Sequence, residues 1–317
     1  MENMKKRYLF LFLILGLVLI AGCNDAGKKV KTGTFFGGTD GISVSFVTVA
    51  PPSQFNQDDA VNVRVLLENK GEYEVIAGNA KAKLYGIPLQ NFGLKDSYIG
   101  TKSVLIGKSE KSNLGGQQEI DFGKLQYKLP VINSEDFNLR ARVCYPYETK
   151  GQINVCLKSL ISKETGETVC NLEGGDKTAG KITKGSVSSA PIQITSLTEE
   201  TRGSDQVRFN IKIENKGKGE VYSPDSSCEQ IEDDNVRLNN RNKVQIEILN
   251  PIDVKCSFIS GEESNKGIVN LNNNVGTISC FKKVEDAVED KLTINVDYIY
   301  MDVTSKQITI YQGVKNR

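Results

Sequence analysis

Residues 61–71, VNVRVLLENKG, return at residues 207–217 as VRFNIKIENKG. The offset is 207 minus 61, or 146 residues, and the match runs without a gap to Val75 and Val221. In each copy the apolar residues share one parity: Val61, Val63, Val65 and Leu67, then Val207, Phe209, Ile211 and Ile213. The residues between them are polar at all but Leu66. Alternation of period two marks a strand with one face in a core and the other in water. Asn-Lys-Gly closes each copy, and Asn and Gly tolerate the left-handed backbone of a tight turn. A repeat of so long a period predicts two similar domains rather than a solenoid. A second correspondence lies further on. Leu292, Ile294, Val296, Tyr298 and Tyr300 repeat Leu139, Ala141, Val143, Tyr145 and Tyr147 at an offset of 153, and Ile308 and Ile310 repeat Val155 and Leu157 at the same offset. Both ends of the unit are therefore duplicated.

Between these landmarks the chain reads as short strands separated by turn signals. In the first unit they fall at 42–46, 61–69, 80–85, 104–106, 118–122 and 139–147. A turn at Lys150-Gly151 then leads to a last strand through Ile153, Val155 and Leu157. In the second unit they fall at 191–197, 207–215, 243–249, 254–258, 268–271 and 276–281, and then along the tyrosine-bearing strand. The stretch 285–290, EDAVED, reads as a short helical turn. About seven short strands per unit predict an all-β chain of two tandem immunoglobulin-like β-sandwich domains. The 317 residues suffice for two domains of ordinary size. The expected division is a signal or anchor at 1–22, a flexible tether at 23–40, a sandwich at 41–158, a linker at 159–188 and a second sandwich at 189–314. Phe35 and Phe36 are expected to pack on the edge of the first sandwich.

The amino terminus sets the compartment. Lys5, Lys6 and Arg7 precede an apolar run from Tyr8 to Ala21, which is shorter than the ~20 residues of a spanning helix. Ile20-Ala21-Gly22-Cys23 resembles a lipobox, which makes Cys23 the expected lipid attachment site; an uncleaved N-terminal helix is the other anchor. Either one places the remaining chain outside the cytoplasm with the membrane as a partner.

GGTDGISVSF followed by Pro51-Pro52, then VLLENKGEYEV, GKSEKSNLGG, CYPYET and a later cysteine resemble a family of uncharacterised archaeal surface proteins. The organising strand also resembles the adhesion-related immunoglobulin-like domains known as CARDB. The resemblance covers most of residues 35–222. It implies a sandwich fold and a place on the cell surface, and it brings no catalytic residues to transfer.

Composition narrows the chemistry. Forty basic and 39 acidic residues leave a net charge of +1, so there is no electrostatic footprint for nucleic acid. The chain has no histidine, which removes Ser-His-Asp and Cys-His mechanisms and imidazole metal sites. No phosphate loop, nucleophile elbow or dinucleotide fingerprint is present, so the chain is expected to be non-enzymatic and to need no cofactor.

Beyond Cys23 there are six cysteines, an even number that predicts disulfides in a secreted chain. Cys256 shares parity with Val254 and Phe258, and Cys280 with Ile278, so Cys256–Cys280 is the leading pair. Cys144 and Cys156 lie symmetrically about Lys150 and are expected to face each other across a hairpin, leaving Cys170 to pair with Cys228. A rival scheme joins Cys156 to Cys170 and Cys144 to Cys228. The acidic loop 220–235 offers Asp225, Glu229, Glu232, Asp233 and Asp234, of which Asp225, Glu229, Asp233 and Asp234 are weak calcium candidates. The expected function is non-catalytic protein–protein contact at the cell surface, in adhesion, envelope assembly or self-association. The alternative is an extracytoplasmic module that binds a ligand or calcium.

Overall fold

Two 24-residue strands run through the whole molecule. The computed structural model describes residues 33–159, 182–258 and 261–313. The first repeat supplies β1 (Ile42–Phe46), β2 (Gln54–Asn56), β3 (Val61–Asn69), β4 (Lys81–Tyr85), β5 (Ile99–Gly100), β6 (Gln117–Leu125) and β7 (Ser134–Leu157). The second supplies β8 (Ile192–Arg202), β9 (Gln206–Asn215), β10 (Glu220–Tyr222), the helix α1 (Asp234–Asn240), β11 (Lys243–Asn250), β12 (Lys255–Ser257), β13 (Glu263–Ser264), β14 (Lys266–Asn270), β15 (Val275–Lys283) and β16 (Val288–Tyr311). The chain is all-β, with sheets packed as in a sandwich. An eight-stranded sheet is ordered β14-β11-β16-β7-β4-β5, with β10 and β2 also on β16. A three-stranded sheet, β1-β3-β6, and a five-stranded sheet, β13-β12-β15-β9-β8, complete it.

The organising strands form as the alternation dictates. In β3 the buried residues include Val63, Val65 and Leu67, and in β9 Val207, Phe209, Ile211 and Ile213. The last strands depart from the sequence reading. No turn interrupts β7 at Lys150-Gly151; Thr149, Lys150 and Gly151 pair in sequence with Val296, Asn295 and Ile294 of β16. Inward parity therefore continues from Leu139 through Gly151 to Leu157. A Cβ on Gly151 would lie 2.6 Å from Cδ1 of Ile194 in β8, so glycine stands there to let the two sheets approach. The 285–290 stretch is not helical either, since its end, from Val288, opens β16. Of the smaller expected strands, 104–106 is reduced to a bridge between Val75 and Leu105.

The consequence is an exchange between the repeats. The second half of β7 pairs with the first half of β16 beside β11, and the second half of β16 pairs with the first half of β7 beside β4. Each repeat lends the end of its last strand to the other. The sequence boundaries 41–158 and 189–314 thus separate the repeats along the chain but not in space, and from Gly33 onward the chain is one compact unit. Pro146 pairs with Ile299, and these two are also equivalent at the 153-residue offset. A pseudo-two-fold axis must pass through that pair.

Four tyrosines surround the axis. Tyr147 faces Tyr298 and Tyr145 faces Tyr300 across the ladder, with ring centroids 5.5–6.3 Å apart around the group. All four are buried, and burial raises every phenol above its ordinary pKa, so each hydroxyl needs a neutral hydrogen-bond partner. The Asn-Lys-Gly motifs supply two of them. Tyr147 donates to Oδ1 of Asn69 (2.9 Å) and Tyr300 to Oδ1 of Asn215 (3.2 Å). The same Oδ1 atoms accept from the amides of Gly71 and Gly217, while the Nδ2 groups donate to the carbonyls of Tyr73 and Gly219. The asparagines act as hydrogen-bond hubs rather than as left-handed turn residues; neither they nor these glycines have positive φ. The glycines are required by space, because a Cβ at Gly71 or Gly217 would lie 2.1 Å from the hydroxyl of Tyr147 or Tyr300. Tyr145 exchanges hydrogen bonds with the backbone of Ile42, and Tyr298 meets Thr149, which donates to Ile192.

The segment before β1 is fixed where it is described. Glu72 accepts from the amides of Phe36 (2.9 Å), Gly37 (3.1 Å) and Ser189 (2.6 Å), and Phe35 donates to Gly185. The tether expected at 23–40 is therefore pinned from Gly33 on. The linker expected at 159–188 lies largely outside the described residues, but its end is tied to β7 through Gln152–Ser186 and Ser188–Lys150 backbone bonds.

Replacing Asn69 with Leu strands the Tyr147 hydroxyl and the Gly71 amide in a buried site. The expected loss is about 3 kcal/mol, measured by urea unfolding followed by circular dichroism. Gly71→Ala should lose a similar amount through the clash, whereas Lys70→Ala, on the wet side of the same turn, should change little.

Candidate functional site

The two repeats differ most between the organising strand and its successor. Lys81 pairs with Cys144, and Gln245 with Asp297, positions equivalent at the 153-residue offset. The separation of Lys81 from Gln245 is 164 residues, against 146 for the organising strands. The second repeat therefore carries 18 additional residues, and these include the acidic loop.

This insertion folds onto the outer face of the eight-stranded sheet, over strands of the first repeat. Asp233 caps α1 by accepting from the amides of Asn235 (2.9 Å) and Val236 (3.0 Å). Tyr222 and Ile231 bury against Ile299 and Met301 of β16, with Tyr98 at the margin. Cys228 is bonded to Cys144 on β7. Glu229 pairs with Lys81 at 2.6 Å. Glu232 is the centre of a denser cluster, meeting Lys83 (2.9 Å), Arg142 (2.6 Å) and the hydroxyl of Tyr98 (2.7 Å). Lys83 also reaches Asp96 at 2.9 Å, and the Arg142 guanidinium lies over the rings of Tyr85 and Tyr98. Burial alone would raise the Glu232 carboxyl, but hydrogen bonds from Lys83 and Tyr98 and the charge of Arg142 outweigh it and hold the group below the ordinary range. Such half-buried pairs add little net stability and much register, because one displaced partner leaves a charge in a dry place.

Glu229 and Glu232 thus anchor the loop, and the other acids are used within it. Glu229 belongs to Lys81, Asp233 caps α1, Asp234 pairs with Arg237, and Asp225 faces the Ser223 hydroxyl. They do not converge, and among the described residues no group of three metal-ligating side chains forms a cation site.

Of the expected disulfides, Cys256–Cys280 forms between directly opposed residues of β12 and β15. The Cys144–Cys156 pair does not form. Without a turn at Lys150, the two residues lie 12 positions apart on one straight strand, about 40 Å. Cys144 instead takes Cys228, as the rival scheme had it, which leaves no Cys170–Cys228 bond. Cys156 is disulfide-bonded too, and Cys170 and Cys23, the expected lipid attachment site, lie outside the described residues. The Cys144–Cys228 and Cys256–Cys280 bridges, both between described residues, fit an oxidising, extracytoplasmic compartment. Among the described residues no helix is long and apolar enough to cross a membrane.

The place related to Cys144 and Met301 by the pseudo-axis holds Asp297 and Glu148, also paired across the ladder. Among the described residues no matching insertion stands over it, yet the Glu148 side chain is only 13% exposed and Asp297 is partly buried. Glu148 takes Lys150 (3.0 Å) and Asn295 (3.0 Å). The Asp297 carboxyl is pushed up to about 6, first by burial and then by the charge of Glu148. At the far tip of the second half, Arg202, Asp205, Asp253, Lys255, Glu263 and Phe281 line an open groove of about 930 Å³, with the Arg202 guanidinium 4.1 Å above the Phe281 ring. Its charges are of both signs and single out no ligand class.

Three outcomes are expected. Replacing Cys144 and Cys228 with Ser removes a bridge spanning 84 residues and should cost about 4–5 kcal/mol in urea unfolding. Asp297 keeps its proton in the folded chain to about pH 6 and releases it near pH 4 when unfolded, so it disfavours folding increasingly as pH rises between those values. Asp297→Asn should therefore stabilise by about 1 kcal/mol at pH 7, allowing for partial solvent screening, and by nothing measurable below pH 4. Calcium or a chelator should leave the melting temperature unchanged; a calcium-dependent rise would show that the carboxylates can rearrange into a site.

The sequence matches no family model and no curated protein. Among solved structures, the chain is similar to a mutant of the enterotoxigenic E. coli CFA/I adhesin CfaE, at 8% identity over 90% of each chain and a TM-score of 0.12. A likeness of that strength carries no argument about fold or function.

Proposed function

We propose that this chain is a membrane-tethered, extracytoplasmic protein whose work is contact with other proteins, in adhesion or envelope assembly, without catalysis. The observation that carries the proposal is the exchange of strand ends between β7 and β16, which makes two repeats into one stiff body. A receptor for small ligands gains from a cleft that opens and closes. An interlocked body with its chain entry pinned at the waist gains instead by holding loops and sheet edges at a fixed distance from the membrane. The disulfide-bonded insertion serves the same end, since it fixes one outer face against the sheet beneath. The bridges support a place outside the cytoplasm, and the Lys5-to-Cys23 signal supports tethering through Cys23 or an uncleaved helix. The resemblance to archaeal surface proteins with CARDB-like domains points the same way.

Cross-linking on intact cells, followed by detergent capture of the chain and mass spectrometry, tests the proposal. A recurrent envelope protein or a second copy cross-linked through the loops or sheet edges is the expected result. A monomer with no recurrent neighbour would overturn it.

A further inference from the structure

We propose that an apolar, lysine-flanked patch beside the chain's entry point lies on the surface of the bilayer that tethers the protein. This inference rests on the tethering proposed above. Three segments build the patch. Val75 and Leu105 exchange backbone hydrogen bonds, at 3.0 and 2.9 Å, and Gly116 donates to the carbonyl of Ile106 at 2.8 Å. Val75 and Leu105 turn inward and are 1% exposed. Alternation then sends their neighbours outward: Ile76 is 58% exposed, Val104 40% and Ile106 45%. Leu114, two residues before Gly116, is 77% exposed. Four large aliphatic side chains thus stand partly or largely in water on hydrogen-bonded backbone, where their removal from water would be favourable. Lys102, Lys108 and Lys111 punctuate the 101–116 loop against Glu110, and Glu74 is the exposed acid on the segment that carries Val75 and Ile76. Aliphatic side chains amid lysines suit an anionic lipid surface, where the former enter the headgroup boundary and the latter stay at the phosphates.

Position distinguishes this patch from other exposed aliphatics. Gly107, next to Ile106, lies so close to Glu72 that a Cβ would meet its carbonyl oxygen at 2.3 Å, and Lys108 donates to Gly71. Glu72 is the residue whose carboxylate holds the amides of Phe36 and Gly37. The patch and the point where the chain arrives from its amino terminus are therefore neighbours across one residue. Ten Cα-to-Cα steps lead from Cys23 to Gly33, a reach of at most about 35 Å. A lipid on Cys23 therefore keeps Gly33, where the chain enters beside the patch, within that distance of the bilayer. The second repeat has Lys218 where the first has Glu72, so the clamp is not duplicated.

The chain contains no tryptophan, so one introduced indole reports its own surroundings. Leu114→Trp, Ile106→Trp and, as a control at the far tip, Ile252→Trp would each be made in the full chain. Ile252 is 73% exposed. Each protein, purified from detergent, would be reconstituted on vesicles of mixed phosphatidylcholine and phosphatidylglycerol, with and without brominated acyl chains, and floated on a density gradient. The expected result is blue-shifted emission quenched by brominated lipid for the Leu114 and Ile106 reporters, with the Ile252 reporter unchanged. Protein that floats while all three reporters remain water-like would overturn the patch and leave the tether intact. Protein that does not float overturns both. A blue shift that depends on protein concentration and not on vesicles would assign the patch to a second copy of the chain and overturn the lipid contact.

Discussion

Twenty-four consecutive residue pairs join β7 to β16, and the rest of the molecule is arranged by that ladder. Because its centre coincides with a position equivalent to itself at the repeat offset, the two repeats meet about an axis instead of following one another like beads. Each half-sandwich then has a strand contributed by the other repeat. Opening one half means stripping backbone hydrogen bonds and apolar side chains from both. The hydrophobic core accordingly runs without a break from Ile42 and Val63 through the tyrosines to Ile211 and Cys280.

Burying four tyrosines on the axis is favourable only if their hydroxyls are satisfied. That requirement explains the most repetitive part of the sequence. Asn69 and Asn215 each accept from a tyrosine and from a glycine amide while donating to a carbonyl, so one side chain closes a turn and seats the ladder. Hubs and glycines are invariant between the repeats because a hydroxyl fits where a Cβ would stand. The outer face follows another rule. Where the 18-residue insertion packs on it, the sheet presents Cys144, Ile299 and Met301; at the symmetry-related place, where no such insertion lies among the described residues, it presents Glu148 and Asp297.

The strands were legible wherever alternation was strong, and Cys256–Cys280 was legible from parity alone. The expected turn at Lys150-Gly151 is absent for a physical reason. Lys-Gly is turn-like in isolation, and glycine has no side chain to declare which face it occupies; the contact that requires it, with Ile194, lies 43 residues away. The Cys144–Cys156 pairing depends on that turn and falls with it, since two cysteines 12 positions apart on one straight strand cannot meet. The acidic loop suggested ligands because composition does not show that Lys81, Lys83 and Arg142 of the other repeat would be waiting for it. The apolar patch was also hidden, because Ile76, Val104 and Leu114 follow no single period.

Hydrogen exchange as a function of denaturant, resolved to peptides, tests most directly whether the repeats are one interlocked body. Peptides from both halves of β7 and of β16 should open with the same free energy and the same denaturant dependence. Two distinct opening energies, with the first repeat's strands separating from the second's, would contradict the exchange of strand ends on which this account rests.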